Sequence, residues 1–186
     1  MPPKARFTRK EIIKKAIDLA KREGMEGLTA RELGKELESS ARPIFTVFES
    51  MNEVKDAVRA YAKDTYLQYT GMGLKQENAL EGYCMAHIIF AMKEPKLFDI
   101  LFLGDTTKKT NALMMQGEEC YIQLLENLKN AYHIEEAKAK RLYEHAWVYS
   151  HGIAVLCAEN RCEFSAENIN SMMREAYKGF LHELKK

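Results

Sequence analysis

The stretch Thr29-Ala-Arg-Glu-Leu-Gly-Lys-Glu-Leu-Glu-Ser-Ser-Ala-Arg-Pro-Ile-Phe-Thr-Val-Phe48 decides the fold. Thr29 followed by Glu32 is a helix-start pattern, because the threonine hydroxyl can take up a backbone amide that the first turn leaves without a partner. Leu33 and Leu37 then recur at helical spacing. Ser40 can cap a second short helix running through Phe48, with only Glu38 and Ser39 between the two. Leu33 and Leu37 can meet Ile44 and Phe48, and Gly34 permits a close crossing at an angle. That is a helix-turn-helix arrangement, whose second helix fits the major groove of DNA. Its exposed polar residues are expected to be Ser40, Arg42 and Thr46. Short helical hairpins also occur in ordinary helical cores, so spacing alone leaves DNA binding and plain packing both open.

Upstream, Thr8 and Glu11 form a capping box, and Ile12, Ile13, Ala16, Ile17 and Ala20 line one face up to Gly24, which can supply a left-handed stop. Downstream, Ser50 with Glu53 starts a longer helix to about Tyr69, and Gly71 and Gly73 mark a break. Further helical segments are predicted at 77 to 93, 95 to 102, 106 to 131, 135 to 159 and 165 to 185. Strand patterns are nearly absent. The expectation is an all-α chain, with an N-terminal three-helix module over 1–48 and a larger helical domain over 49–186.

The 186 residues hold 46% hydrophobic side chains and 30% charged ones, enough apolar surface for a packed core and too few residues for a long multidomain enzyme. The charge of +1 hides an asymmetry: residues 1 to 22 carry eight cations against Glu11 and Asp18, 8 − 2 = +6, leaving 1 − 6 = −5 for the rest. A basic front end on a mildly acidic body suits a polyanion partner at one end, or a solvated lysine-rich first helix. No segment is apolar enough to span a membrane, and a cytosolic location is expected. Cys84, Cys120, Cys157 and Cys162 show no C-x-x-C spacing and are expected to be reduced structural thiols. Phosphate-loop, nucleophile-elbow and zinc-helix motifs are missing, and the histidines share no ligand spacing, so neither an enzyme nor a metal or other cofactor is expected. His151, inside an apolar helix, suits a hydrogen bond to a neighbouring helix or to a ligand.

Methionines and aromatic residues concentrate after residue 60, which fits an adaptable hydrophobic pocket as well as an ordinary core. In the last segment Ile169, Met172, Met173, Ala176, Tyr177, Phe180, Leu181 and Leu184 make one apolar face. Ala146 to Ala158 is apolar around most of its circumference. A helix apolar on all sides needs partners on all sides, and in so short a chain a second subunit is the expected source. That places Trp147, Ile153, Leu156, Met173, Tyr177 and Phe180 at a homodimer interface, with Gly152 allowing close approach.

From Arg6 to about Tyr66 the chain resembles the TetR family of bacterial transcriptional regulators. The resemblance rests on the basic first helix, Gly24 five residues before Thr29, and the string Ser40, Ile44, Phe48, Ser50, Glu53 and Val54. Phe90-Ala91 followed by Pro95, Leu97 and Phe98, then Trp147 with His151-Gly152, is similar to one ligand-binding domain type of that family. Phe45 replaces the usual Tyr and Met51 the usual Lys, which removes two phosphate contacts. The resemblance implies a homodimeric repressor that binds double-stranded operator DNA and is released by a small hydrophobic ligand. A helical small-molecule binder or co-regulator that keeps the fold without binding DNA is the alternative. For DNA the residues are Thr29, Arg31, Ser40, Ala41, Arg42, Phe45, Thr46 and Lys55, with Arg42 and Thr46 nearest the base edges. For a ligand cavity they are Tyr61, Tyr66, Met85, Phe90, Phe102, Met115, Tyr121 and His151.

Overall fold

A computed structural model of the chain describes residues 6–104 and 115–184. Its regular structure is helical, with no strand among the described residues: α1 (Arg9–Gly27), α2 (Ala30–Glu36), a 3-10 turn (Ile44–Thr46), α3 (Met51–Gly73), α4 (Ala79–Lys93), α5 (Pro95–Phe102), α6 (Glu119–Tyr132), α7 (Glu136–Ala158) and α8 (Ala166–Leu184). The all-α fold class expected from the sequence is therefore observed. The helix expected from 106 begins outside the described residues, and its visible end is α6, preceded by a turn at 115–117.

The chain divides into two compact units, one of Met1–Asp64 with Lys96–Thr106 and one of Thr65–Pro95 with Thr107–Lys186. The division falls inside α3, later than the residue 48 suggested by the sequence. α3 itself passes through Gly71 and ends at Gly73, so the glycines expected to break it form its last turn.

In the first unit the capping box of α1 forms as read. The Thr8 hydroxyl accepts from the Glu11 amide at 3.2 Å and the Thr8 amide donates to the Glu11 carboxylate at 2.7 Å. The Thr8 amide first, and next the Thr8 hydroxyl donating to the same carboxylate at 2.8 Å, hold the Glu11 carboxyl below its ordinary range. Ile12, Ala16, Leu19 and Ala20 form the buried stripe. Gly24 is left-handed at φ 73°, as expected of a stop, yet the helical pattern resumes beyond it to Gly27. α2 is capped by Thr29, whose hydroxyl accepts from the Glu32 amide. The turn after it lies directly on Gly34: a Cβ there would stand 3.0 Å from the Ala41 amide nitrogen and from the Ser40 carbonyl carbon. Glu38 takes φ 49°, a left-handed conformation that costs a non-glycine residue roughly 1–2 kcal/mol.

The second unit is built around α4, which packs on α6, α7 and α8, while α7 packs on α6 and α8. Leu80, Tyr83, Cys84, Ala86, His87, Ile88, Phe90 and Ala91 are all buried, so α4 is a core helix on most of its circumference. Its N-terminal half meets the end of α3 glycine to glycine, because a Cβ on Gly82 would collide with the Gly73 carbonyl oxygen and a Cβ on Gly73 with the Gly82 carbonyl. α7 buries Ala139, Leu142, Tyr143, Ala146, Trp147, Ser150, Ile153 and Ala154. No helix among the described residues is long and apolar enough to cross a membrane.

Candidate functional site

The segment from Ser40 to Phe48, expected as a helix, contains a single 3-10 turn, Ile44–Thr46. Pro43 explains the correction. Its ring removes a backbone donor and disfavours the helical conformation at Arg42, so the segment turns until Pro43 and winds only after it. Ile44 and Phe48 are fully buried and anchor the turn beneath, while Ser40, Arg42, Phe45 and Thr46 project outward. Phe45 is 48% exposed, large for a phenylalanine with no polar group of its own. The Thr46 hydroxyl donates to the Pro43 carbonyl at 2.7 Å, which fixes its rotamer.

Around this segment Arg6 donates to the Ser39 hydroxyl, and Arg9 pairs with Glu53 at 2.6 Å while its guanidinium lies 4.3 Å from the Phe48 ring centre. The Glu49 amide, then Arg9, hold the Glu53 carboxyl below its ordinary range. Thr29 and Arg31 are exposed on α2, Ala41 and Lys55 half-buried. Thus all of the residues expected at DNA lie at the surface, although no hydrogen bond joins any of them to another among the described residues. Arg22, Lys35 and Arg59 are each paired with a carboxylate, as Arg9 is. Arg42 and Lys55 have no carboxylate partner among the described residues, whereas Arg31, after Lys35, helps to lower the Glu32 carboxyl.

In the second unit a buried polar chain crosses the core. The Tyr66 hydroxyl lies 3.1 Å from His87 Nδ1, and His87 Nε2 lies 3.1 Å from His151 Nδ1. Trp147 stacks on His151 at 4.5 Å between ring centres. Burial drives the His87 ring well below its ordinary pKa, with the neighbouring His151 adding to the effect, and burial lowers His151 to about 4. Both rings are therefore neutral near pH 7, each with one N–H, so protons align in one direction. If Tyr66 donates to His87 Nδ1, His87 Nε2–H donates to His151 Nδ1; reversal requires every member to switch. Burial also raises Tyr66 well above the ordinary phenol range and Tyr83 to about 12.

An open groove of about 1530 Å³ runs along the same unit, between the end of α3, α4, α6 and the start of α8. Tyr69, Met72, Met85, Ile89, Met92 and Leu128 supply much of its apolar wall, and Asn78, Asn127, Asn130, Asn170 and Arg174 its polar rim. Met72, Ile89 and Met92 are 58%, 41% and 48% exposed. Of the residues expected to line a ligand cavity, Met85 alone is in the wall of this groove. Tyr66, Phe90 and Tyr121 are filled core, Met115 is buried, and His151 bonds the neighbouring helix. Tyr61 and Phe102 belong to the other unit. The missed signal was the spacing of Met85, Ile89 and Met92, a second apolar stripe on a helix whose first stripe already serves the core.

The expected interface residues are likewise redistributed. Trp147, Ile153, Met173 and Tyr177 are buried within the chain, because α7 turns the first two and α8 the last two onto neighbouring helices of the same unit. Tyr177 donates to the Tyr132 hydroxyl and Phe180 stacks with His145. What α7 leaves outside is Val148, 58% exposed, and Leu156, 39% exposed, with Gly152 open between them. No protein-family model matches the chain, and no curated protein matches it.

Proposed function

We propose that the chain is a DNA-binding transcriptional regulator of the TetR type, a homodimeric repressor that leaves its operator when a small hydrophobic ligand enters the second unit. One observation carries this reading. The segment after α2 is anchored by the fully buried Ile44 and Phe48 while it holds Arg42 and Thr46 out to solvent. Arg42 and Lys55 are cations with no carboxylate partner among the described residues, so their charge is available to phosphates and guanine edges. The positive balance of the first residues of the chain adds a sequence-independent attraction to the same polyanion.

The groove suits the ligand, since its exposed methionines adapt to shape and its asparagines fix orientation. α3 supplies residues to both units and is the natural carrier of a coupling of about 1–3 kcal/mol, roughly 5- to 150-fold in DNA affinity. Val148, Gly152 and Leu156, spaced four apart along one face of α7, suit a seam with a second copy.

A second reading, a co-regulator that keeps the fold without binding DNA, is favoured by the reduction of the groove-reading helix to one 3-10 turn. Gel-shift titration separates the two. Duplexes selected by the wild-type protein from a randomised pool are compared with scrambled duplexes, for wild type and Arg42→Ala. Loss of a base contact should cost about 1–3 kcal/mol on the selected duplex alone. Equal affinity of both proteins for both duplexes would transfer the conclusion to the co-regulator.

A further inference from the structure

We propose that Cys157 and Cys162 form a dithiol modification site that a hydroperoxide converts into an intramolecular disulfide. The backbone builds the site. At the end of α7 the Arg161 amide donates to the Leu156 carbonyl at 2.9 Å and the Asn160 amide to the Cys157 carbonyl at 3.1 Å. Asn160 between them is left-handed at φ 52°. These are the two bonds and the left-handed residue of a Schellman motif, which turns the chain back along the helix it has just left. The next residue is Cys162. Its Sγ stands 3.8 Å from the Cys157 Sγ, with both side chains half-buried. A disulfide needs about 2.0 Å between the sulfurs, and side-chain rotation has to supply only the difference.

The remaining thiols offer no such arrangement among the described residues. Cys84 is buried, and burial pushes its thiol up to about 12. Cys120 faces the Leu67 carbonyl oxygen at 3.9 Å.

The chemistry balances with a hydroperoxide as the only co-reactant. The Cys162 thiolate attacks the terminal peroxide oxygen, the O–O bond breaks, and a sulfenic acid forms as alkoxide leaves and takes up the proton given by the thiol. Cys157, losing its proton, attacks the sulfenic sulfur; the S–S bond forms and the hydroxyl departs with that proton as water. Two thiols and one hydroperoxide give one disulfide, one alcohol and one water, or two waters when the oxidant is hydrogen peroxide. The balance is unchanged if the two sulfurs exchange roles. The site stands on its own geometry and is independent of whether the first unit binds DNA.

The test treats the full chain with hydrogen peroxide in slight excess. Thiols are then counted in denaturant, and peptides are mapped with and without reduction. Two of the four cysteines should disappear from the count, joined as Cys157–Cys162 and restored by reduction. In Cys157→Ser a sulfenic acid trapped by dimedone should appear at Cys162. In Cys162→Ser no internal link should form, and dimedone should label Cys157. The proposal is overturned if all four thiols survive while dimedone labels neither residue, or if the link joins any other pair. A link that forms no faster in the folded chain than in urea would also overturn it, since the Schellman turn would then contribute nothing.

Discussion

Replacing Gly82 by alanine tests the crossing on which the second unit depends. A Cβ at that position would meet the Gly73 carbonyl oxygen and come within 2.8 Å of Gln76 Cγ. The first obstacle is backbone, so relief requires α3 and α4 to move apart, and overpacking of this kind costs up to about 3 kcal/mol. Alanine recovers about 1 kcal/mol of helix propensity, which leaves a net loss of about 2 kcal/mol. Gly152→Ala supplies the opposite sign, because its new Cβ has no neighbour within 4 Å among the described residues and the propensity gain of about 1 kcal/mol stands alone. The two variants should differ by about 3 kcal/mol, or roughly 6–12 °C in Tm for a chain of this size. Thermal unfolding followed by circular dichroism at low protein concentration reads that difference directly. A Gly82→Ala protein as stable as wild type would refute the crossing, and a destabilised Gly152→Ala monomer would show that α7 is more enclosed than described.

The buried imidazoles predict a pH dependence of known sign. His151 titrates at about 4 in the folded chain against 6.5 ordinarily, and His87 is depressed for the same reason, burial. The unfolded chain therefore binds protons that the folded one refuses, so this part of the stability is complete above pH 6.5 and is lost as pH falls from 6.5 towards 4. Urea midpoints should decline over that window, and His151→Gln should flatten the decline; an unchanged slope would remove His151 from the account. At the proposed seam, Val148→Asp changes an exposed position and should alter protomer stability by no more than about 0.5 kcal/mol while converting dimers to monomers in light scattering. Ile153→Asp should instead unfold the protomer, because it places an unpaired charge at a residue only 4% exposed. Folded dimers of Val148→Asp would count against this face.

The parts of the first unit that were legible in the sequence are those governed by local rules. Thr8 with Glu11, and Thr29 with Glu32, announced helix starts because a capping hydroxyl acts within a single turn. Gly34 announced a close approach, and the turn indeed rests on it. The segment after it was misread because Ser40, Ile44 and Phe48 satisfy helical spacing, while Pro43 acts on its predecessor Arg42, an effect that a count of apolar positions does not register. Anchoring and winding are separate properties. Ile44 and Phe48 are as buried as a helix would make them, yet only Ile44–Thr46 is wound.

In the second unit the sequence revealed how much apolar surface α7 carries but not which neighbour covers each side. From Ala146 to Ala158 the apolar residues run almost around the helix, and the direct inference is a partner on every face. Its own α4, α6 and α8 already cover Ala146, Trp147, Ser150, Ile153 and Ala154. A seam can only be made of what remains after that subtraction, which is Val148, Gly152 and Leu156, and subtraction requires the packed neighbours to be known. The same holds for the open groove, whose apolar wall includes the stripe of Met85, Ile89 and Met92 rather than the filled core. The thiol pair was closer to being legible. Asn at the position after a helix end is a frequent left-handed terminator, and with Asn160 read that way, Cys162 falls back towards Cys157 by local geometry alone. A search for C-x-x-C spacing could not find it, because the pairing arises from the reversal of the chain rather than from adjacent turns of one helix.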